Sequence, residues 1–250
     1  MGESSGGRDA SRWTAGVARV RGPAWGACIG AVLAGCAATP HPLPPMGRIA
    51  VVSLVGDQAR LVVRDEAARR HVVDTWAVPD WHVDDDVEAR TAAQLQADGY
   101  APVDVPVPAD ARRWLGGATW TSVPRPTWTF AGGPEAARRA ASAAQADWLL
   151  VVATAPPVRE DPFFHTSGHV TGYGHYTRGG ESLEYAQLAV LLVDGHSGEV
   201  VKSRVGDGET AAAAGAAAAP SASAPALSRE GTLAAIDAAV HDGLRRLKVE

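Results

Sequence analysis

Three histidines in the second half of the chain have the residue type that most often binds metal. His165, His169 and His175 stand in a glycine-rich stretch that also contains Tyr173. If residues 165–176 are extended, side chains alternate between two faces, and the three imidazoles share one face with Tyr173. Neutral imidazole is a good ligand for zinc or copper. The spacings of four and six match no helical His-Glu-x-x-His site, so a solvated loop without metal is the competing interpretation.

An acidic run is the second candidate for metal binding. Asp84, Asp85 and Asp86 are followed by Glu88. Calcium is the ion that such oxygen ligands favour, but the ligand spacing and the glycine of a calcium-binding loop are missing. Acids also stabilise the first turn of a helix, because the helix dipole is positive there. We therefore expect a helix start and no calcium.

Tryptophans dominate residues 114–130 and are candidates for a binding surface. Trp114, Trp120 and Trp128 lie there with Phe130. Aromatic side chains anchor interfaces, so these residues, together with Tyr173, are candidates to line a groove for a peptide or a glycan. The alternative is a small apolar core under a loop, and the sequence favours it.

No motif in the chain specifies a reaction. The sequence contains neither a Gly-x-Ser-x-Gly nucleophile elbow nor a Ser-x-x-Lys motif. It also lacks the glycine-rich loops that hold phosphates or dinucleotides. The formal net charge is -5, which repels a phosphate backbone, so we expect no nucleic-acid partner.

The first 35 residues have the pattern of an export signal. Residues 1–22 are polar and contain arginines, and residues 23–35 are apolar and uncharged. An apolar run of this length is too short for a membrane-spanning helix, which needs about 20 residues. It is typical of the apolar core of a signal peptide, followed by small residues at a cleavage point. The alternative is a cytoplasmic domain whose true start lies further along the chain.

The segment Leu33-Ala34-Gly35-Cys36 resembles the lipobox of bacterial lipoproteins at every position. The resemblance implies cleavage before Cys36 and acylation of Cys36, which would anchor the chain to the periplasmic side of the cell envelope. An alanine rather than an aspartate follows the cysteine, which favours the outer membrane. Residues 36–47 are predicted to form an extended tether, because their stretch Ala37–Pro45 is proline-rich. At about 3.1 Å per residue, this stretch would hold the domain roughly 30 Å from the membrane surface.

The rest of the chain predicts an α/β or α+β domain over residues 48–207, with a single mixed β-sheet of about five to seven strands and two or three packed helices. Residues 155–182 are interpreted as a glycine- and histidine-rich insertion, and 208–227 as a linker rich in alanine, proline and serine. Residues 228–250 form an amphipathic helix that docks back on the sheet. The predicted strands are Arg48–Val55, Ala59–Arg64, His71–Val78, Val103–Val107, Trp148–Ala153, Leu183–Val193 and Glu199–Val205.

Helix ends and helix faces are also predicted. Asp80 is the expected N-cap of a helix to about residue 96 that ends at Gly99. Pro134 opens a second helix to about residue 146, and Ser228 caps the last one. Two apolar stripes define the buried faces of the first and last helices: Val83, Val87, Thr91 and Leu95, and Leu233, Ile236, Val240, Leu244 and Leu247.

Three stretches are similar to a group of bacterial periplasmic domains. They are the opening strand Arg48–Val55, the segment Ala146–Val151, and the strand, turn and strand from Val193 to Val201. The pattern resembles the curli secretion-channel lipoprotein, the lipoprotein activator of penicillin-binding proteins, and the amino-terminal domain of the Tol–Pal translocation protein. The resemblance implies a related α/β fold and a non-enzymatic binding or assembly role. We separately expect an envelope protein or a glycan as the partner.

Two functional hypotheses follow from the sequence. The first is a non-catalytic binding or assembly module, tethered in the envelope through Cys36. The second is a metal-dependent envelope hydrolase that uses His165, His169 and His175. Metal binding by the histidines would separate the two, because the first hypothesis needs no cofactor.

Overall fold

Seven strands form one mixed β-sheet in the computed structural model, which describes residues 47–65, 70–103, 107–121, 127–156, 171–178, 181–211 and 227–249. The strands of this sheet are β1 (Ile49–Leu54), β2 (Gln58–Asp65), β3 (Arg70–Ala77), β6 (Trp148–Thr154), β7 (Gly172–Arg178), β8 (Glu181–Asp194) and β9 (Val200–Ala211). A separate hairpin contains β4 (Ala118–Thr121) and β5 (Thr127–Phe130). The helices are α1 (Val83–Ala97), α2 (Ala109–Leu115), α3 (Gly133–Ala143) and α4 (Arg229–Val249). The predicted α/β class is confirmed.

The long strand β8 organises the sheet. Its pairing with β9 extends from Leu183 to Val193, so β6 and β7 must share the opposite edge of β8. β6 pairs with the second half of β8 and β7 with the first half, both antiparallel. β1 lies parallel to β6, and β2 lies parallel to β7. Therefore β6 and β7 lie one after the other along the same edge of β8, and we call this pair of strands a row of the sheet. β1 and β2 form the next row outward, and β3 is the outer strand beside β2.

Helices cover both faces of the sheet around β6. Leu150 and Val152 belong to a core cluster with α1 and α4, whereas Leu149 and Val151 belong to a second cluster with α2, α3 and the hairpin. This division follows from the alternation of side chains along a strand. Because both faces are buried, β6 reads in the sequence as a continuous apolar run.

The first helix begins later than predicted. Asp80 lies inside a short 3-10 turn, Pro79–Trp81, and is not the residue that precedes the helix. His82 then adopts a left-handed conformation with φ of 51° and precedes α1 at Val83. The prediction of Asp80 as N-cap is therefore wrong, because the turn at Pro79 and the reversal at His82 move the helix start. The predicted buried face is confirmed: Val83, Val87, Thr91 and Leu95 are all buried.

The last helix docks on the sheet as predicted. All five residues of its apolar stripe, Leu233 to Leu247, are buried. Ser228 caps the helix, since its Oγ accepts a hydrogen bond of 3.0 Å from the backbone N of Gly231. α4 lies close to β9 at two glycines. A Cβ built on Gly206 would lie 2.0 Å from the carbonyl oxygen of Ala239, and one on Gly208 would lie 1.9 Å from that of Ala235.

Side chains block the outer edge of β9. The guanidinium of Arg246 donates to the carbonyl oxygen of Val205 at 3.3 Å, and that of Arg204 donates to the carbonyl oxygen of Ser203 at 2.7 Å. The backbone N of Asp207 donates to Asp242 at 3.4 Å. An edge strand with satisfied backbone groups is a poor template for another strand.

Three segments differ from their predicted structure. Residues 114–130, which have no clear period, contain the end of α2 and the hairpin of β4 and β5. Val103 and Val107, the two ends of the predicted strand, are not in a strand, and residues 104–106 lie outside the described part. Beside them, Pro102 forms a single parallel bridge with Ile49. Proline offers no N–H to continue such a ladder.

The third difference concerns the ends of the predicted insertion and linker. Residues 172–178 form β7 inside the sheet rather than part of an insertion, because β8 and β2 pair with them on both sides. β9 extends to Ala211, so the first residues of the predicted linker are in a strand, and residues 212–226 lie outside the described part. Among the described helices, none has both the length and the apolar character needed to cross a membrane.

Candidate functional site

His175 lies in the interior of the sheet. It belongs to β7, its side chain has no solvent exposure, and its Nδ1 is 3.3 Å from a carboxylate oxygen of Glu184 on β8. His165 and His169 lie outside the described residues, so a site formed by all three histidines stays a prediction. Over the described ranges, no three His, Cys, Asp or Glu side chains converge in a way that could hold a metal ion.

Glu184 connects β7, β8 and the start of α4. Besides facing His175, it accepts a hydrogen bond of 3.2 Å from the Oγ of Thr232 and one of 3.4 Å from the backbone N of Ser228. Both Glu184 and Thr232 are fully buried. The sequence analysis did not single out Glu184, although a carboxylate inside the apolar run of β8 is a signal for a buried polar contact.

Tyr173 lies on the same strand as His175, and its side chain is hydrogen-bonded inside the domain. Its hydroxyl donates to the carbonyl oxygen of Gly56 at 3.0 Å. Burial raises the pKa of Tyr173, and the nearby carboxylates of Asp57 and Asp84 raise it further. A buried, protonated phenol that is already hydrogen-bonded is poorly placed to contact a ligand. The prediction that Tyr173 contributes to a binding surface therefore has no support in this geometry.

The acidic run at the start of α1 is used within the fold. The carboxylate of Asp84 accepts from the backbone N of Val55 and of Gly56, both at 3.0 Å, and so closes the end of β1. Asp85 and Glu88 both pair with Arg112 of α2 at 2.8 Å. Burial opposes the charge of Arg112, but these carboxylates raise its pKa overall.

The tryptophans are divided between the core and the surface. Trp128 of β5 is buried, and Trp120, opposite it on β4, is 36% exposed. Their ring centroids are 5.6 Å apart, with the planes tilted by 56°. Trp114 of α2 is half-buried, and the guanidinium of Arg139 lies 4.0 Å from the centre of its ring. The hairpin therefore contributes Trp128 and Phe130 to the second core cluster and presents the indole of Trp120 to solvent.

A pocket of about 350 Å³ opens beside this hairpin. We call it the aromatic pocket. Its size is at the lower end of the range for small-ligand sites. Its lining includes two aromatic residues, Trp128 and Phe130, that are themselves buried in the second core cluster, and three exposed polar residues, Thr127, Thr129 and Glu199. It is lined by Thr127–Phe130 of β5, Pro134 of α3, and Gly198, Glu199 and Val200 at the start of β9.

The wall of the aromatic pocket formed by residues 198–200 is held by the turn that precedes it. The carboxylate of Asp194 accepts from the backbone N of His196 at 2.7 Å and of Ser197 at 2.9 Å. These hydrogen bonds, the one from Ser197 first, lower the pKa of Asp194. Gly198 has a φ of 74°, and a Cβ there would lie 2.0 Å from the carbonyl oxygen of Pro134. Glycine is thus required where the turn meets α3.

Comparison with known proteins gives no family. No family model matches the chain, and no curated protein matches it. Several solved structures show partial likeness. A PelC dodecamer variant from Paraburkholderia phytofirmans has a TM-score of 0.38 and 15% identity, over 85% of this chain and 96% of that one.

Two further structures have lower TM-scores. Lipoprotein GNA1162 from Neisseria meningitidis has a TM-score of 0.33 and 14% identity, over 66% of this chain and 84% of that one. Protein XCC0632 of family DUF330 from Xanthomonas campestris has a TM-score of 0.35 and 11% identity, over 80% of this chain and 82% of that one. Superpositions of this quality carry no argument about function.

Proposed function

We propose that this protein is a lipid-anchored, non-catalytic binding or assembly module of the bacterial cell envelope, and that the aromatic pocket is its binding site. One observation carries the proposal. The indole of Trp120 is exposed and packs against the buried ring of Trp128, which is one of the residues that line the pocket. Exposed aromatic side chains next to a concave surface are the usual anchors of recognition.

The composition of the pocket indicates the kind of ligand. The exposed indole of Trp120, which packs against the lining residue Trp128, suits the apolar face of a sugar ring or of a peptide side chain. Thr127, Thr129 and Glu199 are exposed and offer hydroxyl and carboxylate groups for hydrogen bonds. A peptide or a glycan of the envelope matches this combination, whereas a bulky apolar ligand would leave these polar groups without partners.

Photo-cross-linking in cells tests the binding role. A photoreactive phenylalanine at Thr129 would face the aromatic pocket, and one at Asp237, an exposed position on α4, would not. We expect position 129 to capture an envelope protein or glycan that position 237 does not capture. The capture should weaken when Trp120→Ala removes the exposed ring. Equal capture from both positions would contradict a binding site at this pocket.

The envelope location rests on the lipobox-like segment, which lies outside the described residues. We expect the wild-type chain to lose residues 1–35 and to gain acyl mass at Cys36, and we expect Cys36→Ser to do neither. Intact-mass analysis with a fatty-acid label measures both. A wild-type chain that keeps residues 1–35 and carries no label would contradict the lipid anchor, the periplasmic location and the outer-membrane assignment.

The alternative, a metal-dependent hydrolase built on His165, His169 and His175, has less support. His175 is fully buried and faces Glu184, so its Nδ1 already has a partner. A zinc ligand would have to come from its Nε2, which has no hydrogen-bond partner among the described residues. Metal analysis of the purified protein separates the two functions, because the binding module retains no zinc or copper.

A further inference from the structure

The outer edge of β3 differs from the other outer edges of the sheet. At β1, the backbone of Ile49 donates to Ala101 at 3.2 Å and accepts from Val103 at 2.8 Å. Farther along β1, the backbone N of Ser53 donates to the carboxylate of Glu88 at 2.9 Å. At β9, side chains of α4 and of the strand itself occupy the edge. Among the described residues, nothing is hydrogen-bonded to the outer edge of β3 between residues 73 and 77.

The pairing of β3 with β2 shows which backbone groups lie on this edge. In an antiparallel pair, opposite residues are alternately hydrogen-bonded to each other and directed away from each other. The backbone N of Val78 donates to the carbonyl oxygen of Asp57 at 2.7 Å, and every second pair along the hairpin continues that set. The intervening residues Val73, Thr75 and Ala77 therefore direct their N–H and C=O groups away from β2. All three residues are exposed.

An open edge of this kind is a template for another strand, and soluble proteins commonly protect it with lysine, proline or a bulge. β3 reads Arg-His-Val-Val-Asp-Thr-Trp-Ala, without lysine or proline, and its register with β2 runs over eight residue pairs without a bulge. Val73 is 45% exposed and offers apolar surface beside the open backbone groups. The edge therefore has the hydrogen-bonding groups and the exposure that strand addition needs.

We infer that β3 of a second copy of this chain pairs with this edge, antiparallel, around a two-fold axis at Thr75. In this register Thr75 lies opposite Thr75 of the second copy, and Val73 lies opposite Ala77, so all three outward-directed residues are used. Threonine opposite threonine is a favourable cross-strand pair, and Asp74 lies opposite Trp76. An axis at Asp74 would instead place two carboxylates opposite each other. The edge is thus complementary to itself, as a two-fold contact requires.

This association goes beyond the proposed binding role and does not depend on it. Residues 73–77 contribute five residues a side, whereas a stable interface has roughly 20 to 30. We therefore expect reversible association that increases with protein concentration. Where both the association and the proposed function hold, each dimer has two aromatic pockets on one continuous sheet.

Disulfide cross-linking of the full-length protein in cells, after mild oxidation, tests the register. Opposite residues have Cα atoms about 5.5 Å apart, within the range of a disulfide, so Thr75→Cys should give a covalent dimer. Val73→Cys alone should not, because its two thiols lie four residues apart along the strand, about 14 Å. Co-expressing Val73→Cys with Ala77→Cys should restore the dimer. Asp237→Cys on α4 and the wild type, which has two native cysteines, should give none.

A proline at the centre of the contact tests its hydrogen bonds. The N–H of Thr75 points away from β2, so Thr75→Pro removes a donor from the pairing of the two copies and none from the hairpin. We expect this variant to raise the dissociation constant, measured by sedimentation equilibrium of the full-length protein, at least about tenfold. Its urea midpoint should stay at the wild-type value. Thr75→Val keeps the N–H and should leave both quantities unchanged.

The outcomes decide the inference separately from the proposed function. A covalent dimer from Thr75→Cys but not from Val73→Cys, with weaker association of Thr75→Pro, supports it. Equal cross-linking of both single-cysteine variants overturns the register, and a cross-link from position 75 to a different protein overturns the second copy as occupant. A wild type that stays monomeric at all concentrations, or association that Thr75→Pro leaves unchanged, overturns the inference. None of these results bears on capture from position 129 at the aromatic pocket.

Discussion

Replacing Gly208 by alanine would place a methyl group against the backbone of α4. The added Cβ would lie 1.9 Å from the carbonyl oxygen of Ala235, whereas real Cβ contacts are essentially never shorter than 3.0 Å. The helix or the strand must therefore move by at least about 1.1 Å. Backbone atoms on both sides make this movement unavoidable, since no flexible side chain can swing away.

The cost can be worked from what α4 buries. Its apolar stripe contributes five buried side chains, Leu233, Ile236, Val240, Leu244 and Leu247. At about 2 kcal/mol each, the stripe contributes on the order of 10 kcal/mol. A gap of about 1 Å forfeits roughly a quarter or more of the dispersion attraction across the contact. We therefore expect Gly208→Ala to lower the free energy of unfolding by about 3 kcal/mol.

Urea unfolding followed by circular dichroism measures this loss. With a dependence on urea of about 2 kcal/mol per molar, the midpoint should fall by about 1.5 M. Glu209→Ala is the matched control, because Glu209 is the exposed neighbour in the same strand. It should change stability by less than about 0.5 kcal/mol. Indistinguishable midpoints for the two variants would refute the close packing of α4 on β9.

Three further perturbations test other parts of the structure. Glu184→Ala leaves buried hydrogen-bonding groups without partners and should cost about 3 kcal/mol in urea unfolding, whereas Glu184→Gln keeps an acceptor and should cost less. The pKa of Asp194 is lower in the folded state than in the unfolded state, so its carboxylate stabilises the fold fully at pH values above the unfolded-state pKa. This stabilisation is lost as the pH falls through the folded-state pKa. Asp194→Asn should flatten that acid dependence in unfolding titrations; an unchanged slope would contradict it. Combining Arg246→Ala with Asp242→Ala opens the edge of β9, so light scattering should show concentration-dependent association beyond that of the wild type.

The elements with a strong period were predictable from the sequence. β1 and β6 are runs of β-branched and aliphatic residues, and both are buried on two faces. The apolar stripe of α4 and the turn residues from Asp194 to Gly198 are also recognisable in the sequence. Tertiary contacts agree with these local preferences. Where local preference and the final fold agree, sequence reasoning succeeds.

The elements that depend on distant partners were not predictable. β7 contains Gly172 and Gly174 and reads as a loop, but β2 and β8 supply its hydrogen bonds from both sides. At Gly174 a Cβ would lie 2.0 Å from the carbonyl oxygen of Arg60, so the glycine reflects close strand approach rather than a turn. No local pattern reveals that cause.

The candidate site was predictable in part. The sequence offered a core and a binding surface as alternatives for the tryptophan stretch and favoured the core; in the structure Trp128 is buried in the core, whereas Trp120 is exposed. The aromatic pocket could not be foreseen, because Pro134 and Glu199 come from separate elements that meet through the packing of α3 against the turn at Gly198. Burial of His175 depends in the same way on α4, which arrives more than fifty residues later in the chain.

The row formed by β6 and β7 has a consequence for how the chain tolerates change in length. Thr154 pairs with Leu188 and Gly172 pairs with Gln187, so the chain leaves the row and returns to it at adjacent positions of β8. The cost of closing a loop between two such fixed points rises only with the logarithm of its length, by about 0.6 kcal/mol for each doubling. The sheet thus fixes the two ends of this excursion and leaves its length nearly free. Residues between 155 and 171 are the natural place in this molecule to graft a peptide tag or a whole domain while β6, β7 and β8 keep their register.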